Sequence, residues 1–480
     1  MSIKENLIQK SAIEIVDLLR SQQITPIELL DILENRITEV DGQVNALPIR
    51  CFDRARLHAD RLSKLPIEER GLLAGLPIVI KDLTPVADVL FTSGSILFES
   101  NIAQKSDILV ERIEARGGIV YAKSNTPEFG AGGNTFNDVF GATHNPWDLT
   151  KSVAGSSGGS AAALASGTAW LAHGSDFGGS LRNPASFCSV VGLRPSPGRI
   201  SSGPRMLPFQ NLGVQGPMAR NVADLALFFD SMTGSTPLEP LSLPSPKVSF
   251  LAASQARKKP SKIAISSSLG FMPVDKEVRD ICSKAALNFE KQGVVVEEAH
   301  PNLENVIKTF WTLRSNLFAA TMGAMAKESP DKLKPELLEN IEAGFQISNR
   351  ELIEAEISRG QIYNTMARFF DEFDFLLAPA TIVPPFPIEQ RYVEKCDGQH
   401  FNNYVDWLGI SFPATLASCP ALSLPVGFTT LGLPVGLQII GPHQGEADLL
   451  AAAQLLEDQL GKNLTPIDPR KVAKSSDLRV

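Results

Sequence analysis

The chain has few of the residues that build disulfide frameworks or zinc sites. Its 480 residues include only 5 cysteines and 6 histidines. The cysteines are odd in number, scattered and without a C-x-x-C pair; they are Cys51, Cys188, Cys282, Cys396 and Cys419. Such spacing argues against disulfides and a structural zinc ion, and it is typical of a reducing compartment. We therefore expect a cytoplasmic protein that binds no metal.

Long apolar runs and basic stripes are also absent from the sequence. No uninterrupted apolar stretch reaches the roughly 18 residues of a membrane-spanning helix. Residues 1–5 lead into polar sequence without the apolar segment of a signal peptide. The net charge is −8, and the longest basic tract is residues 257–259. Since a nucleic-acid-binding face would need a larger basic patch, the composition predicts neither a membrane nor a nucleic acid as partner.

Two segments rich in glycine and serine carry the chemistry that the sequence does contain. They are residues 155–160 and 176–180, in which Ser156 and Ser180 lie 24 residues apart. A nucleophilic serine needs backbone that approaches a carbonyl closely, N–H groups that stabilise an oxyanion, and a base. Glycine favours the first two, because backbone without a Cβ comes close to a ligand. The base is indicated upstream, where Lys81 follows the apolar residues 76–80.

The apolar pattern predicts one large α/β domain over residues 1–480. Residues 10–40 predict two helices, and Thr25 with Glu28 three residues later is a helix-start signal. Residues 70–235 alternate short apolar runs with helical stretches, which predicts a mixed-sheet catalytic core. Residues 303–371 predict a helical insert on the substrate side. Residues 372–462 predict strands and a final helix, so both ends of the chain are expected to build one sheet covered by helices on both faces.

Other interpretations of individual residues have less support. His173 invites a Ser-His-Asp triad, but it lies in an apolar run and no G-x-S-x-G pattern is present, so a buried structural histidine is favoured. A phosphate-binding loop would need a lysine after its last glycine, and residues 155–160 have none. Asp82 and Glu128 suggest a carboxylate pair or a metal site, but no histidine stands at ligand spacing.

Four segments together resemble the amidase signature family of serine hydrolases. They are the lysine strand and residues 154–162, 174–184 and 432–438, in the family's order and with the family's spacing between the two serines. The resemblance extends over about residues 10–460. It implies the family's fold, a mixed sheet covered by helices, and an amide hydrolase that needs no cofactor.

The resemblance also implies a Ser-Ser-Lys triad. Ser180 would attack the carbonyl, Lys81 would act as the base, and Ser156 would bridge them after a cis peptide bond from Gly155. A lysine with an ordinary pKa near ~10.4 is charged at pH 7 and accepts no proton. We therefore expect burial to lower the pKa of Lys81 toward roughly 7–8.

Further residues take supporting roles in the same resemblance. Those whose backbone N–H groups would form the oxyanion hole are Phe177, Gly178, Gly179 and Ser180. Those that would support the triad are Ser157, Asp176 and Arg182. Gly130 matches a position that borders the substrate in relatives.

Three departures from the commonest family pattern bear on the substrate. Ala154 replaces a usual glycine, Phe177 replaces a frequent threonine, and residues 415–420 lack the usual asparagine and glycine. These changes leave the triad intact and favour a more apolar pocket. We expect a free-standing amidase for a small-molecule amide, and the sequence leaves a homodimer open.

Two alternatives remain for the function. One is the glutamine-hydrolysing subunit of a tRNA-dependent amidotransferase, which would require partner subunits. The other, from a different class, is a non-catalytic binding protein on the same fold.

Overall fold

The computed structural model describes residues 7–461 and 465–471. Residues 1–6, which include the segment used to exclude a signal peptide, and the parts of the predicted domain at 462–464 and 472–480 lie outside these ranges. The strands are β1 Ile49–Arg50, β2 Pro77–Lys81, β3 Ile119–Ser124, β4 Phe136–Asn137, β5 Gly141–Ala142, β6 His144–Asn145, β7 Asp148–Ser152, β8 Leu171–Asp176, β9 Val191–Arg194, β10 Val214–Ala219, β11 Lys262–Ile265, β12 Val295–Glu298, β13 Phe375–Pro379, β14 Lys395–Cys396, β15 Gln399–His400, β16 Ala421–Phe428 and β17 Pro434–Ile440.

Eleven of these strands form one sheet with the order β1-β3-β2-β8-β10-β9-β16-β17-β13-β11-β12, and the other six form three two-stranded sheets. Strands β3, β2 and β8 are parallel to one another, and β13, β11 and β12 form a second parallel set. The strands between these sets pair antiparallel. The sheet is therefore mixed and draws strands from both ends of the chain, as predicted.

The helices surround this sheet. Helices α1 to α14 cover Ala12–Arg20, Pro26–Val44, Phe52–Ser63, Ile108–Ala115, Gly158–Ser166, Arg182–Cys188, Val222–Met232, Phe250–Ala256, Lys276–Ala286, Val306–Glu328, Pro335–Gln346, Asn349–Phe369, Phe412–Leu416 and Glu446–Leu460. The two N-terminal helices, the helical insert and the final helix are where the sequence predicts them. Within the described ranges, no helix combines the length and apolarity needed to span a membrane.

The start of α2 shows how directly the local sequence specifies an element. The Thr25 hydroxyl accepts the Glu28 N–H, and the Glu28 carboxylate accepts the Thr25 N–H. This reciprocal pair satisfies two backbone donors that the first helical turn leaves without partners. Leu29, Leu30 and Leu33 then face the core and are fully buried.

Parallel pairing brings the candidate site residues to one edge of the sheet. Strand β2 pairs in parallel with β3 on one side and with β8 on the other, with Val79 opposite Ala172. Lys81 ends β2 and Ser175 lies near the end of β8, so both side chains emerge at the same edge. Every residue of β2 and β3 is buried, which shows that both faces of the sheet are covered here.

Candidate active site

Lys81 is a fully buried amine surrounded by hydroxyl groups. Its side chain is 0% exposed, although it ends in a charge-bearing group. The Nζ atom lies 2.7 Å from Ser156 Oγ, 3.0 Å from Ser157 Oγ and 3.1 Å from Ser175 Oγ. The structure thus brings together Lys81 and Ser156 as predicted, and it places Ser157 in direct contact with the amine.

Burial makes the amine of Lys81 a weaker base than usual. Among the described residues, no carboxylate pairs with its Nζ atom, so the cost of removing the ammonium ion from water is not offset by a close ion pair. Burial lowers the pKa of Lys81 to about 7, and the more distant charge of Asp176 opposes this shift. The value agrees with the expectation from sequence, and a large fraction of the amine is neutral near pH 7.

The neighbouring lysine shows what a purely structural buried amine looks like in this fold. Lys123, on the adjacent strand β3, is also 0% exposed but forms an ion pair with Asp82. Its Nζ atom also donates to the Leu90 carbonyl at 3.1 Å. Lys123 therefore has a carboxylate partner, and Lys81 has hydroxyl partners.

The first glycine- and serine-rich segment approaches Lys81 from the N-terminus of α5. The peptide bond between Gly155 and Ser156 is cis, as the resemblance implies. Ala154 stands at φ 57°, a left-handed conformation that normally favours glycine, which accounts for the usual glycine at this position in the family. The Thr135 hydroxyl donates to the Ala154 carbonyl at 2.7 Å and holds the segment in place.

The second segment, which carries Ser180, is fastened by Asp176. This buried carboxylate accepts Nε and Nη2 of Arg182, each at 3.1 Å, and Nη1 of Arg194 at 3.2 Å. These two guanidinium groups hold the pKa of Asp176 well below its ordinary value, although burial opposes them. Arg182 also donates to Gln438 Oε1 at 2.9 Å, so the C-terminal motif supports the same loop.

Asp176→Asn is expected to destabilise the protein strongly. The amide keeps the size of the side chain but leaves two buried guanidinium groups without their anion, which typically costs about 3–5 kcal/mol. Urea unfolding followed by circular dichroism measures the loss. Asp280→Asn is the matched control, because Asp280 pairs with Lys276 at an exposed position (side chains 62% and 80% exposed) and should change stability little. Equal stability of both variants would contradict this role of Asp176.

The four N–H groups predicted to form the oxyanion hole differ in whether they already have a hydrogen-bond acceptor. The N–H of Gly179 donates to Asp176 Oδ1 at 3.0 Å, so this group already has an acceptor, contrary to the expectation. In the described chain, the N–H groups of Phe177, Gly178 and Ser180 have no hydrogen-bond acceptor. Gly179 instead shapes the turn: its φ is +104°, and a Cβ there would lie 2.6 Å from atoms of Asn183 and Ser411.

The Ser180 hydroxyl lies in the same cavity as Ser156 but is not bonded to it. Both residues line a cavity of about 130 Å³. The two segments are joined by the Ser157 N–H, which donates to the Ser180 carbonyl at 3.2 Å. No hydrogen bond links the Ser156 and Ser180 hydroxyls in the described chain, so the expected bridge is complete only on its lysine side. A rotation about χ1 moves a serine hydroxyl between partners, and catalytic hydrogen bonds commonly tighten only when substrate binds.

The cavity is lined by serine hydroxyls and by a wall of aromatic rings. Gly130 lines it, and a Cβ at that position would lie 3.3 Å from Ser156 Oγ. The aromatic wall consists of Phe129, Phe177, Phe310, Phe318 and Phe412. Phe177 packs edge-on against Phe310 at 5.6 Å between ring centroids, so the departure at Phe177 does make the pocket more apolar. The Thr415 hydroxyl donates to the Phe177 carbonyl at 2.8 Å, which connects the divergent stretch 415–420 to the same loop.

The competing interpretations of His173, Asp82 and Glu128 do not fit the structure. His173 is fully buried, and its Nε2 lies 2.8 Å from Gln215 Oε1. Burial lowers its pKa to about 3, so it is a neutral core residue as expected. Asp82 is engaged by Lys123, and Glu128 accepts the Ser95 hydroxyl at 2.7 Å. The two carboxylates therefore have separate structural partners.

Ser175 is the residue of the lysine cluster to which sequence reasoning gave no role. It stands in β8, and the parallel register of β2 and β8 brings it beside Lys81. The sequence feature that could have identified Ser175 is its position near the end of a strand, five residues before Ser180. The strand register that places it beside the Lys81 amine is a property of the assembled sheet.

The chain matches known proteins over most of its length. A family model described as Amidase matches residues 28–450. An acylamidase of Rhodococcus erythropolis is 34% identical over 461 residues, which cover 95% of this chain and 96% of the relative. A glutamyl-tRNA(Gln) amidotransferase subunit from Halothermothrix orenii is 32% identical, with 93% and 96% covered. The crystal structure of a bacterial aryl acylamidase of the amidase signature family has a TM-score of 0.88 and 29% identity, with 94% and 96% covered.

Proposed function

This chain belongs to the amidase family and is a hydrolase of carbon–nitrogen bonds, and we propose that it is a free-standing amidase in which Ser180 is the nucleophile. The observation that carries the proposal is the contact of 2.7 Å between the buried Lys81 amine and Ser156 Oγ. An amine with a pKa of about 7 exchanges a proton readily at neutral pH. Lys334 is a second buried amine near the cavity with a pKa lowered to about 8, but its Nζ donates to the Ala131 carbonyl, whereas Lys81 Nζ contacts Ser156 Oγ.

The hydrogen bonds around Lys81 support a neutral amine whose lone pair faces Ser156. The Ser157 hydroxyl donates to the Ser175 carbonyl at 3.2 Å, so Ser157 Oγ is an acceptor toward the amine. A neutral amine has two N–H donors, which go to Ser157 and Ser175 in this arrangement. Its lone pair is then left for the Ser156 O–H, which is the orientation that a proton relay requires.

The reaction then proceeds through an acyl-enzyme. Ser156 passes a proton to Lys81 and accepts the Ser180 proton, while Ser180 Oγ forms a bond to the amide carbon. The free N–H groups of Phe177, Gly178 and Ser180 stabilise the tetrahedral oxyanion, and each such donor is typically worth about 3–4 kcal/mol. The carbon–nitrogen bond breaks as the leaving nitrogen takes the proton back through the relay. Water, activated by the same base, releases the carboxylic acid.

The relatives support both a free amidase and a transamidase component. The acylamidase and the aryl acylamidase support the first. The aryl amide that the second name indicates would suit a cavity with an aromatic wall. The amidotransferase relative supports glutamine hydrolysis with partner subunits as the second candidate. We favour the free amidase because the wall beside Ser180 is apolar at Phe177. A cytoplasmic location is supported by the five cysteines, which are all free thiols.

The experiment that tests the proposal is ammonia or amine release by the purified chain. We expect hydrolysis of simple aryl and alkyl amides without any partner protein. If glutamine were the only substrate hydrolysed, and if hydrolysis required added partner subunits, the free amidase would be overturned in favour of the transamidase component. Absence of both hydrolysis and labelling by a fluorophosphonate would support the non-catalytic binding protein. Size-exclusion chromatography with light scattering decides between a monomer and a homodimer.

A further inference from the structure

Arg314 is a buried cation in the wall of the active cavity. It lies on α10, is 4% exposed and lines the cavity together with Ser156 and Ser180. Its Nε donates to Asn340 Oδ1 and its Nη2 to the Tyr404 hydroxyl, each at 2.9 Å. Within the described ranges, Nη1 has no hydrogen-bond acceptor and no carboxylate pairs with the guanidinium.

Aromatic rings fix the orientation of this guanidinium without neutralising it. Its Cζ lies 4.1 Å from the ring centroid of Phe318, 5.5 Å from that of Phe177 and 5.8 Å from that of Tyr404. Such contacts attract a cation, but a ring face supplies no lone pair to Nη1. The other donors tie α10 to α11 and to Tyr404. These contacts therefore engage Nε and Nη2 of Arg314 and leave Nη1 available to a ligand.

The surroundings add positive potential to this end of the cavity. Lys334 is a second cation in this region, and its Nζ lies 5.9 Å from the ring centroid of Tyr404. Glu336, the carboxylate whose charge acts most strongly on Lys334, is already held by Arg391 at 2.7 Å. Burying a cation without an anion is costly, so this region favours an anionic ligand.

We propose that the substrate of this amidase carries a carboxylate, which Arg314 Nη1 binds in the cavity that Ser180 also lines. The proposal rests on the proposed function and defines its substrate class. The aromatic wall, with Phe310 and Phe412 stacked at 3.6 Å, suits an aryl or short alkyl spacer between amide and carboxylate. Arg314 is thus a specificity-determining residue, since it contacts the substrate away from the reacting bond.

The test compares matched amides that differ only in the carboxylate. On the acyl side these are 4-carbamoylbenzoate and 4-methylbenzamide, and on the amine side 4-acetamidobenzoate and 4-methylacetanilide. We expect the wild type to prefer the carboxylate in one pair by about 10- to 100-fold in kcat/KM, the usual effect of a charge-assisted hydrogen bond. The pair that responds identifies which part of the substrate carries the carboxylate.

Arg314→Gln should remove this preference while hydrolysis of the neutral amide changes only a few-fold. Arg314→Lys should retain part of the preference, mainly because its KM for the carboxylate substrate is lower than that of Arg314→Gln. Lys327→Gln is the control, because it removes a positive charge from the exposed side of the same helix and should keep the preference. Equal losses on both members of a pair after Arg314→Gln, or no preference in the wild type, would overturn the proposal and indicate a purely structural arginine.

A binding measurement separates this proposal from the proposed function. Isothermal titration of Ser180→Ala with both members of the acyl-side pair and of the amine-side pair requires no turnover. We expect the compound with the carboxylate to bind more tightly than its neutral counterpart. Adding Arg314→Gln should remove this difference in affinity. If no amide is hydrolysed but this binding pattern holds, the hydrolytic role fails and the carboxylate site stands. If amides are hydrolysed but the two members bind equally in both pairs, the carboxylate site fails alone.

Discussion

Ser180→Ala should lower kcat/KM for amide hydrolysis by at least about 10⁴-fold, because no other group replaces the attacking oxygen. The chain should remain folded, since the Ser180 hydroxyl makes no hydrogen bond within the described residues and the change removes one oxygen atom. Stopped ammonia assays measure the rate, and mass spectrometry after treatment with a fluorophosphonate measures the adduct. Wild type should gain one covalent adduct on the peptide that contains Ser180, and the variant none.

Ser160→Ala is the matched control for this loss. Ser160 belongs to the same glycine- and serine-rich segment as Ser156, but its hydroxyl donates to the His173 carbonyl at 2.8 Å and lies outside the cavity. Its removal should cost about 1 kcal/mol of stability and leave labelling unchanged. If Ser180→Ala retained the adduct while Ser156→Ala lost it, the two serines would exchange roles.

The lysine cluster could be predicted from sequence because four motifs in order resemble the amidase signature family, and that resemblance implies that Lys81 meets both serine segments. The apolar run before Lys81 independently predicts a buried strand. Burial of the amine then follows, and with it the lowered pKa. The final helix, Glu446–Leu460, lies within residues 372–462, for which strands and a final helix are predicted.

Arg314 and the N–H of Gly179 show what the sequence does not specify. The aromatic residues Phe310 and Phe318 stand in the predicted helical insert, but periodicity does not separate a face that packs on protein from one that lines a cavity. Phe310 and Phe318 prove to do both. The N–H of Gly179 points to Asp176 because the turn has a positive φ at Gly179. A Cβ at Gly179 would also lie 2.6 Å from atoms of Asn183 and Ser411, which only the assembled structure brings to this loop.

Lys81→Met should abolish most of the activity and simplify its pH dependence. General base catalysis contributes typically about 10²- to 10⁴-fold, and methionine has the length of lysine without a basic nitrogen. Lys81→Arg should be equally inactive, because a guanidinium stays protonated and accepts no proton. In the wild type, kcat/KM should rise as pH increases through about 7 and then level off, since only the neutral amine is the base. Both variants should lack this rise.

Lys123→Met provides the contrast on the adjacent strand. Its loss leaves Asp82 buried without its cation, so stability should fall by about 3–5 kcal/mol. The folded fraction should keep the rise in kcat/KM near pH 7, because Lys81 is untouched. A rise that disappears in Lys123→Met but persists in Lys81→Met would show that the titrating base is Lys123.

The same amine should make the wild type less stable than Lys81→Met at neutral and acidic pH. Burial lowers the pKa of Lys81 from its ordinary 10.5 to about 7 in the folded chain. Between these values the unfolded chain binds a proton that the folded chain does not, so the stability contributed by Lys81 rises with pH across this window. The destabilisation is complete below about pH 7 and vanishes above about 10.5. Urea unfolding of both proteins from pH 6 to 10 should therefore show a difference that shrinks with pH. A constant difference would mean that Lys81 keeps its ordinary pKa, and the proton relay through Ser156 would then lack its base.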